Sequence, residues 1–160
     1  MRGFLAVAMP SFLIGAVCGA AVWYLASPLW IDRVVSETLA EARDGAIAAT
    51  GAFVDTDVVH KGAGQVQIIT RADGLLEAQF TRFEVTNGPD LEVWLSAHPN
   101  PKTSADVSAT DWLSLGRLKG NIGDQAYTIP LGTDFGQYPS IVIWCEQFGV
   151  LFSAAVLSRS

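Results

Sequence analysis

The stretch that decides the fold is Ser140-Ile-Val-Ile-Trp-Cys-Glu-Gln-Phe-Gly-Val-Leu-Phe-Ser-Ala-Ala-Val-Leu157. Its pattern predicts two strands joined by a turn over residues 146–149. Alternation with a period of two places residues 141, 143 and 145 on one face of the first strand, and 142 and 144 on the other. By the same alternation, residues 150, 152, 154 and 156 of the second strand share a face. Because both faces are mostly apolar, we expect this pair at the centre of a sheet that is covered on two sides.

Turn-forming residues separate further short strands along the chain. Asp73-Gly74 is a hairpin signal between two alternating segments, and Asn87-Gly88-Pro89 marks a turn before a strand over residues 91–96. Residues 97–110 are rich in Pro, Ser, Asn and Thr, which predicts a long loop. Short strands follow near 113–118 and 126–129. Residues 51–160 are therefore predicted to form one all-β domain, an antiparallel β-sandwich or barrel of about seven or eight strands.

The first 31 residues predict a transmembrane anchor. No charged side chain occurs from residue 3 to residue 31, and residues 4–25 as a helix would be about 33 Å long, enough to span the hydrocarbon core. A cleaved signal peptide is the alternative, but cleavage after Ala26 would place bulky Tyr24 where a small residue is preferred. Arg2 favours a cytoplasmic N-terminus, so we expect a single-pass protein of the cell membrane with a periplasmic domain. Gly15 and Gly19 form a small-xxx-small pair that would allow two such helices to dimerise.

Residues 32–50 predict a short amphipathic helical stalk between anchor and domain. Val35, Leu39 and Ala42 recur at helical spacing, with acidic residues between them. Gly45 and Gly51 are points at which such a helix would end. The stalk would hold the domain away from the membrane surface.

The charge of the chain bears on its partners. Ten Lys and Arg stand against 16 Asp and Glu, a formal net charge of −6. An acidic protein repels phosphate backbones, so nucleic acid is not an expected partner.

Five short motifs that follow one another in order resemble the DM-thirteen domain, an extracytoplasmic all-β module. They are Gly51-Ala-Phe53, His60-Lys-Gly-Ala-Gly64, Asn87-Gly-Pro-Asp-Leu91, Leu115-Gly-Arg-Leu-Lys-Gly-Asn-Ile-Gly-Asp-Gln-Ala-Tyr127 and Ile143-Trp-Cys-Glu-Gln-Phe148. The resemblance covers roughly residues 51–157. That family is associated with electron transfer, some of its members lie beside haem-linked modules, and its characteristic cysteine falls on Cys145. The resemblance therefore implies a fold and a candidate residue, but no particular reaction. If the module is redox-active, its expected partner is a redox protein of the envelope.

Cys145 is the candidate redox residue, acting either as a thiol or as a ligand for a cofactor such as haem. Free cysteine is also among the most buried residue types, so packing alone is the alternative role. Glu146 follows it, and no adjacent cation favours a thiolate. His60 is the candidate second cofactor ligand, although its turn-like setting, Val-His-Lys-Gly, also suits an exposed or capping histidine.

Other chemistries lack their residues. The chain contains no C-x-x-C, H-E-x-x-H or G-x-S-x-G motif, which argues against thioredoxin-type and hydrolase mechanisms. A blue-copper site usually adds a weak axial Met to its His and Cys ligands, and residues 51–160 contain no Met, so no metal site is predicted. Two functions remain open: a redox module centred on Cys145, and a non-catalytic binding or structural sandwich of the envelope in which Cys145 only packs. The sequence identifies neither a particular cofactor nor an enzymatic reaction.

Overall fold

The computed structural model describes residues 2–27, 31–43 and 46–159. Positions 1, 28–30, 44–45 and 160, which fall within the predicted anchor, stalk and domain, lie outside the described residues. The elements are α1 (Arg2–Ala26), β1 (Val34–Ser36), β2 (Ile47–Asp55), β3 (Gly62–Thr70), β4 (Leu76–Val85), β5 (Leu91–Ser96), α2 (Ser104–Ser108), β6 (Trp112–Arg117), β7 (Ile122–Thr128), a 3-10 turn (Phe135–Gln137), β8 (Ser140–Cys145), β9 (Val150–Val156) and β10 (Ser158–Arg159).

The strands of the described chain form one continuous sheet. Their order is β1-β7-β4-β3-β2-β9-β8-β5-β6, with β10 paired to β2. Every pair is antiparallel except β1 with β7, which is parallel. The all-β prediction is confirmed as a mostly β half-barrel. The described strands number ten rather than seven or eight, because β1 and β10 are too short to show a period in the sequence.

Strand β2 joins the two halves of the sheet. Up to Ala52 it pairs with β3, and from Phe53 onward it pairs with β9. The two halves share one apolar core, in which the rings of Phe53, Phe80 and Phe83 lie with centroids 4.8 to 5.1 Å apart. Edge-to-face and tilted contacts of this kind stabilise a core beyond the area that they bury.

The predicted central position of β8 is confirmed. All six of its residues are buried, with positions 141, 143 and 145 in the core between the two halves of the sheet. Positions 142 and 144 lie on the opposite face, where Val107 of α2 covers them. Helix α2 lies inside the segment predicted as a loop, and a capping box between Thr103 and Asp106 starts it.

Strand β9 departs from the predicted alternation because it contains a β-bulge. Position 153 opposes position 143 of β8, and 151 opposes 144, which leaves Phe152 without a partner in the ladder. Phe152 and Ala155 therefore both lie in the central core, whereas Leu151 and Ala154 lie on the outer face. The predicted grouping of 150, 152, 154 and 156 is wrong beyond Phe152, since the extra residue reverses the alternation.

The helical stalk predicted over residues 32–50 is also wrong. Val34–Ser36 forms β1, residues 37–42 have no regular structure, and β2 begins at Ile47. A helix of this length is marginal in water on its own, whereas the exposed edge of β7 offers the same backbone ready hydrogen-bonding partners. The segment therefore belongs to the β-sheet rather than to a separate spacer.

Helix α1 occupies the predicted anchor. Its described side chains, from position 9 to position 24, are all exposed. Within the part of the chain that the structure describes, no helix combines the length and the apolar character that a membrane crossing requires. The membrane anchor, its orientation and pairing through Gly15 and Gly19 stay predictions.

Candidate functional site

Cys145 is the last residue of β8. Its Cα lies opposite Leu91 of β5 and Val150 of β9, and the residue has 0% exposure. It is a free cysteine whose side chain belongs to the same core as Ile141 and Ile143. The sequence thus predicted correctly which face of the strand carries the sulfur.

A four-residue exposed turn, residues 146–149, closes the strand end directly after Cys145. The backbone N–H of Gly149 donates to the Cys145 carbonyl (2.9 Å), and the N–H of Glu146 donates to the Asp90 carbonyl (2.9 Å). Phe148 at the tip is 64% exposed. Turns that bury little apolar surface are the parts of a fold that open most readily. The thiol is fully enclosed, and it lies directly before an exposed turn.

His60 lies in the connection 56–61 between β2 and β3, where it belongs to a compact turn. Its ring Nδ1 lies 2.8 Å from Oδ2 of Asp57, and the backbone N–H groups of Val59 and His60 each donate to Asp57 Oδ1 at 2.7 Å. The hydrogen bond from the His60 ring, followed by the two backbone donors, lowers the pKa of Asp57 to about 2. On its other side the His60 ring packs against Phe152, with centroids 4.4 Å apart. The histidine thus closes a turn, as its sequence context suggested.

The fit of a cofactor between Cys145 and His60 follows from these contacts. No hydrogen bond or ring contact joins the two side chains among the described residues, and within those residues no three His, Cys, Asp or Glu side chains gather into a group able to hold a metal ion. Neither residue lines two open clefts of the described chain, which have volumes of about 570 and 660 Å³. A haem held by this pair would have to enter a core that apolar side chains already fill. The residues present therefore do not fit such a group.

A stack of three indole rings on the outer face of the sheet was missed by the sequence reasoning. The rings of Trp94 and Trp112 lie 3.8 Å apart at 8°, and those of Trp94 and Trp144 lie 5.1 Å apart at 27°. Trp94 also donates its Nε1–H to Glu92 (2.8 Å), which accepts from Ser114 as well (2.7 Å). Each tryptophan lies in a different strand, so only the register between strands would have revealed the stack.

The longest of the five sequence motifs builds a buried polar network rather than a reactive centre. Gln125 donates its Nε2–H to the carbonyl of Gly120 (2.9 Å), and its Oε1 accepts from the hydroxyl of Tyr127 (2.7 Å) and the N–H of Gly120 (3.3 Å). The N–H of Lys119 donates to the Tyr127 oxygen (3.0 Å). Burial raises the pKa of Tyr127 well above its usual value, so its phenol stays protonated and serves the network.

Comparison with known proteins confirms the resemblance. A family model described as "Electron transfer DM13" matches residues 53–157. No curated protein and no solved structure gives a match. The matched region contains Cys145 and His60, and it begins within β2, so β1 lies outside it.

Proposed function

We propose that this chain, which belongs to the electron transfer DM13 family, is a membrane-anchored extracytoplasmic redox module whose reacting group is the thiol of Cys145. The observation that supports this proposal most directly is the position of the sulfur. It is enclosed in an apolar core, yet it lies at a strand end beneath an exposed turn. A thiol in that position is protected from nonspecific oxidation and reacts when the turn opens.

The chemistry that suits a lone thiol without a cofactor is thiol–disulfide exchange with a partner. The Cys145 thiol loses its proton to water, and the thiolate attacks one sulfur of a disulfide carried by the partner. A new sulfur–sulfur bond forms, the partner's bond breaks, and the partner's other sulfur leaves as a thiolate. The chain contains only two cysteines, and Cys18 lies in the N-terminal segment. The thiol that resolves the mixed disulfide must therefore come from the partner.

The membrane anchor in this proposal is supported by the N-terminal segment. Residues 3–31 carry no charge, and the described apolar side chains of α1, such as Phe12 and Val17, are exposed rather than packed on the domain. Burial of such a surface in lipid is strongly favourable. Arg2 before the segment supports a domain on the periplasmic side.

A non-catalytic envelope module is the second candidate. The fully buried sulfur, packed with Ile141 and Ile143 in one core, is the observation that favours it. Both functions are compatible with the buried thiol, and they differ in how that thiol becomes accessible. The redox role needs access through local opening, whereas packing alone leaves access only through global unfolding.

Alkylation of the full-length protein at increasing urea concentration distinguishes the two. In a Cys18→Ser background, Cys145 is the sole thiol. We expect its alkylation rate to be nearly independent of urea well below the unfolding midpoint, because opening a short turn exposes little surface. Under the same conditions, oxidised glutathione should form a mixed disulfide with the native protein.

The matched control places a thiol in the same core away from the turn. Ala155 has 0% exposure and lies at the end of β9 that is remote from the turn, between Phe53 of β2 and Ile141 of β8, so the variant Cys18→Ser, Cys145→Ala, Ala155→Cys should react only through global unfolding. Its alkylation rate should rise steeply with urea from the lowest concentrations. If Cys145 shows the same steep dependence as the control, the thiol is structural and the redox assignment fails.

A further inference from the structure

Strand β1 lies in a groove along the edge of β7, and Gly120 and Gly123 form the floor of this groove. A Cβ atom at Gly120 would overlap the carbonyl oxygen of Arg33, and one at Gly123 would overlap the carbonyl oxygen of Val35. Gly123 also has a positive φ of 107°, which side-chain-bearing residues rarely adopt. Both glycines belong to the longest sequence motif, and both leave room for a second backbone. The motif is thus shaped to receive an extended segment.

One end of the groove binds a carboxylate. The amide Nδ2 groups of Asn87 and Asn121 donate to the same oxygen of Asp32, at 2.8 and 2.9 Å. The Asn121 carbonyl Oδ1 also accepts from the backbone N–H of Arg33 (2.6 Å). Asn121 therefore holds both the side chain and the backbone at the start of the segment.

The other end binds a second carboxylate, five residues further on. Lys119 Nζ donates to both oxygens of Glu37 (2.8 and 2.9 Å), and the N–H of Ala126 donates to one of them (2.9 Å). Burial works to raise the pKa of Glu37, but the hydrogen bonds from Lys119 and Ala126 lower it overall. Glu37 is thus held in its ionised form.

The groove has contacts that hold it in shape independently of its occupant. Lys119 Nζ also donates to the carbonyl of Ala126 (2.7 Å) and lies 5.1 Å from the centre of the Tyr127 ring. The backbone carbonyl of Asn121 accepts from the backbone N–H of Val85 (2.8 Å). Preorganised donors of this kind reduce the entropy lost on binding. The carboxylate-binding groups are therefore in place before an extended segment arrives.

We propose that this groove is a peptide-binding site for extended segments with carboxylates five residues apart, and that residues 32–37 are its exchangeable occupant. The occupant pairs with β7 over only three residues, is followed by residues without regular structure, and lies outside the family match at 53–157. Binding by strand addition at a sheet edge is a recurrent mode of peptide recognition. The proposal is independent of the chemistry of Cys145.

Cleavage of the folded full-length protein tests this inference. A specific protease site is inserted after Glu41, in the irregular segment, and an affinity tag is placed after Ser160. The protein is cut in detergent micelles and captured through the tag. We expect the N-terminal fragment to stay bound to the domain. A synthetic peptide of residues 31–40 should then release it, while the same peptide with Asp32→Asn and Glu37→Gln should need at least about tenfold higher concentration, as expected when charge-assisted hydrogen bonds are lost.

Variants of the protein provide the controls. Lys119→Gln should release the fragment faster, whereas Lys102→Gln, which removes the same charge from an exposed site, should not. Where Lys119→Gln disturbs folding, as its circular dichroism would show, Glu37→Gln on the fragment replaces it. Immediate loss of the fragment from an intact domain would show that only chain connectivity holds β1 in place. Equal competition by the uncharged peptide would refute the specificity for carboxylates.

Discussion

Replacing Gln125 with Leu removes the centre of the buried polar network without changing the packed volume greatly. Gln125 has 0% exposure, and its amide makes three hydrogen bonds, two with the backbone of Gly120 and one with the hydroxyl of Tyr127. Leu fills nearly the same space but offers no donor or acceptor. The change in the free energy of unfolding therefore reports the polar contacts rather than a cavity.

The magnitude follows from the groups that lose their partners. The variant would leave the Tyr127 hydroxyl proton and the backbone N–H and carbonyl of Gly120 without the partners that Gln125 supplies. Each buried unsatisfied group costs about 1–3 kcal/mol. The Tyr127 oxygen still accepts from the N–H of Lys119, and the Gly120 groups regain part of the loss by shifting toward water. We expect a destabilisation of about 2–4 kcal/mol.

Urea unfolding followed by tryptophan fluorescence measures this loss, and Tyr127→Phe completes a double-mutant cycle. The Phe variant leaves the N–H of Lys119 without its acceptor and should cost about 1–2 kcal/mol. The double variant should lose less than the sum of the single losses by about 1 kcal/mol or more, since Gln125→Leu orphans the Tyr127 hydroxyl proton and Tyr127→Phe removes that hydroxyl. A loss below about 0.5 kcal/mol for Gln125→Leu, or strict additivity, would refute the reasoning.

Two further predictions concern the indole stack and acid stability. Trp94 is 3% exposed and lies between two rings, whereas Trp112 is 46% exposed. In urea unfolding, Trp94→Ala should lower the free energy of unfolding by about 3–5 kcal/mol and Trp112→Ala by about 1–2 kcal/mol. Equal losses for the two variants would contradict this structure. Asp57 and Glu37 have lowered pKa values in the folded chain. Their contributions to folding stability are therefore fully present above their unfolded pKa values. These contributions are lost as the pH falls through the folded pKa values, which for Asp57 means down to about pH 2. The urea midpoint should therefore fall below about pH 4.5, Asp57→Asn should weaken that dependence, and a midpoint that stays constant down to about pH 2 would oppose the assignment.

Some features of the β-strands could be predicted from the sequence because local alternation determines which side chains share a face of a strand. The period of two correctly placed Cys145 with Ile141 and Ile143, and it identified β5 at its observed bounds, 91–96. The ordered motifs identified the family that the comparison confirmed. Each of these inferences depends on residues that are close together in the chain or on the order in which short motifs follow one another. None of the three requires knowledge of which strands are neighbours.

The remaining features depend on contacts between segments that are distant in the sequence. Only the tertiary structure determined which of these contacts form. Glu37 and Lys119 are separated by 82 positions, so the sequence around Glu37 showed only an amphipathic pattern, and the predicted helix was wrong. The bulge at Phe152 depends on how β9 pairs with β8, and the indole stack depends on the register of three strands. Cys145 and His60 were natural candidates for one site, yet the packed core leaves no room for a cofactor between them. A sequence records which residues are able to pair, whereas the free energy of the whole packed sheet selects the pairs that form.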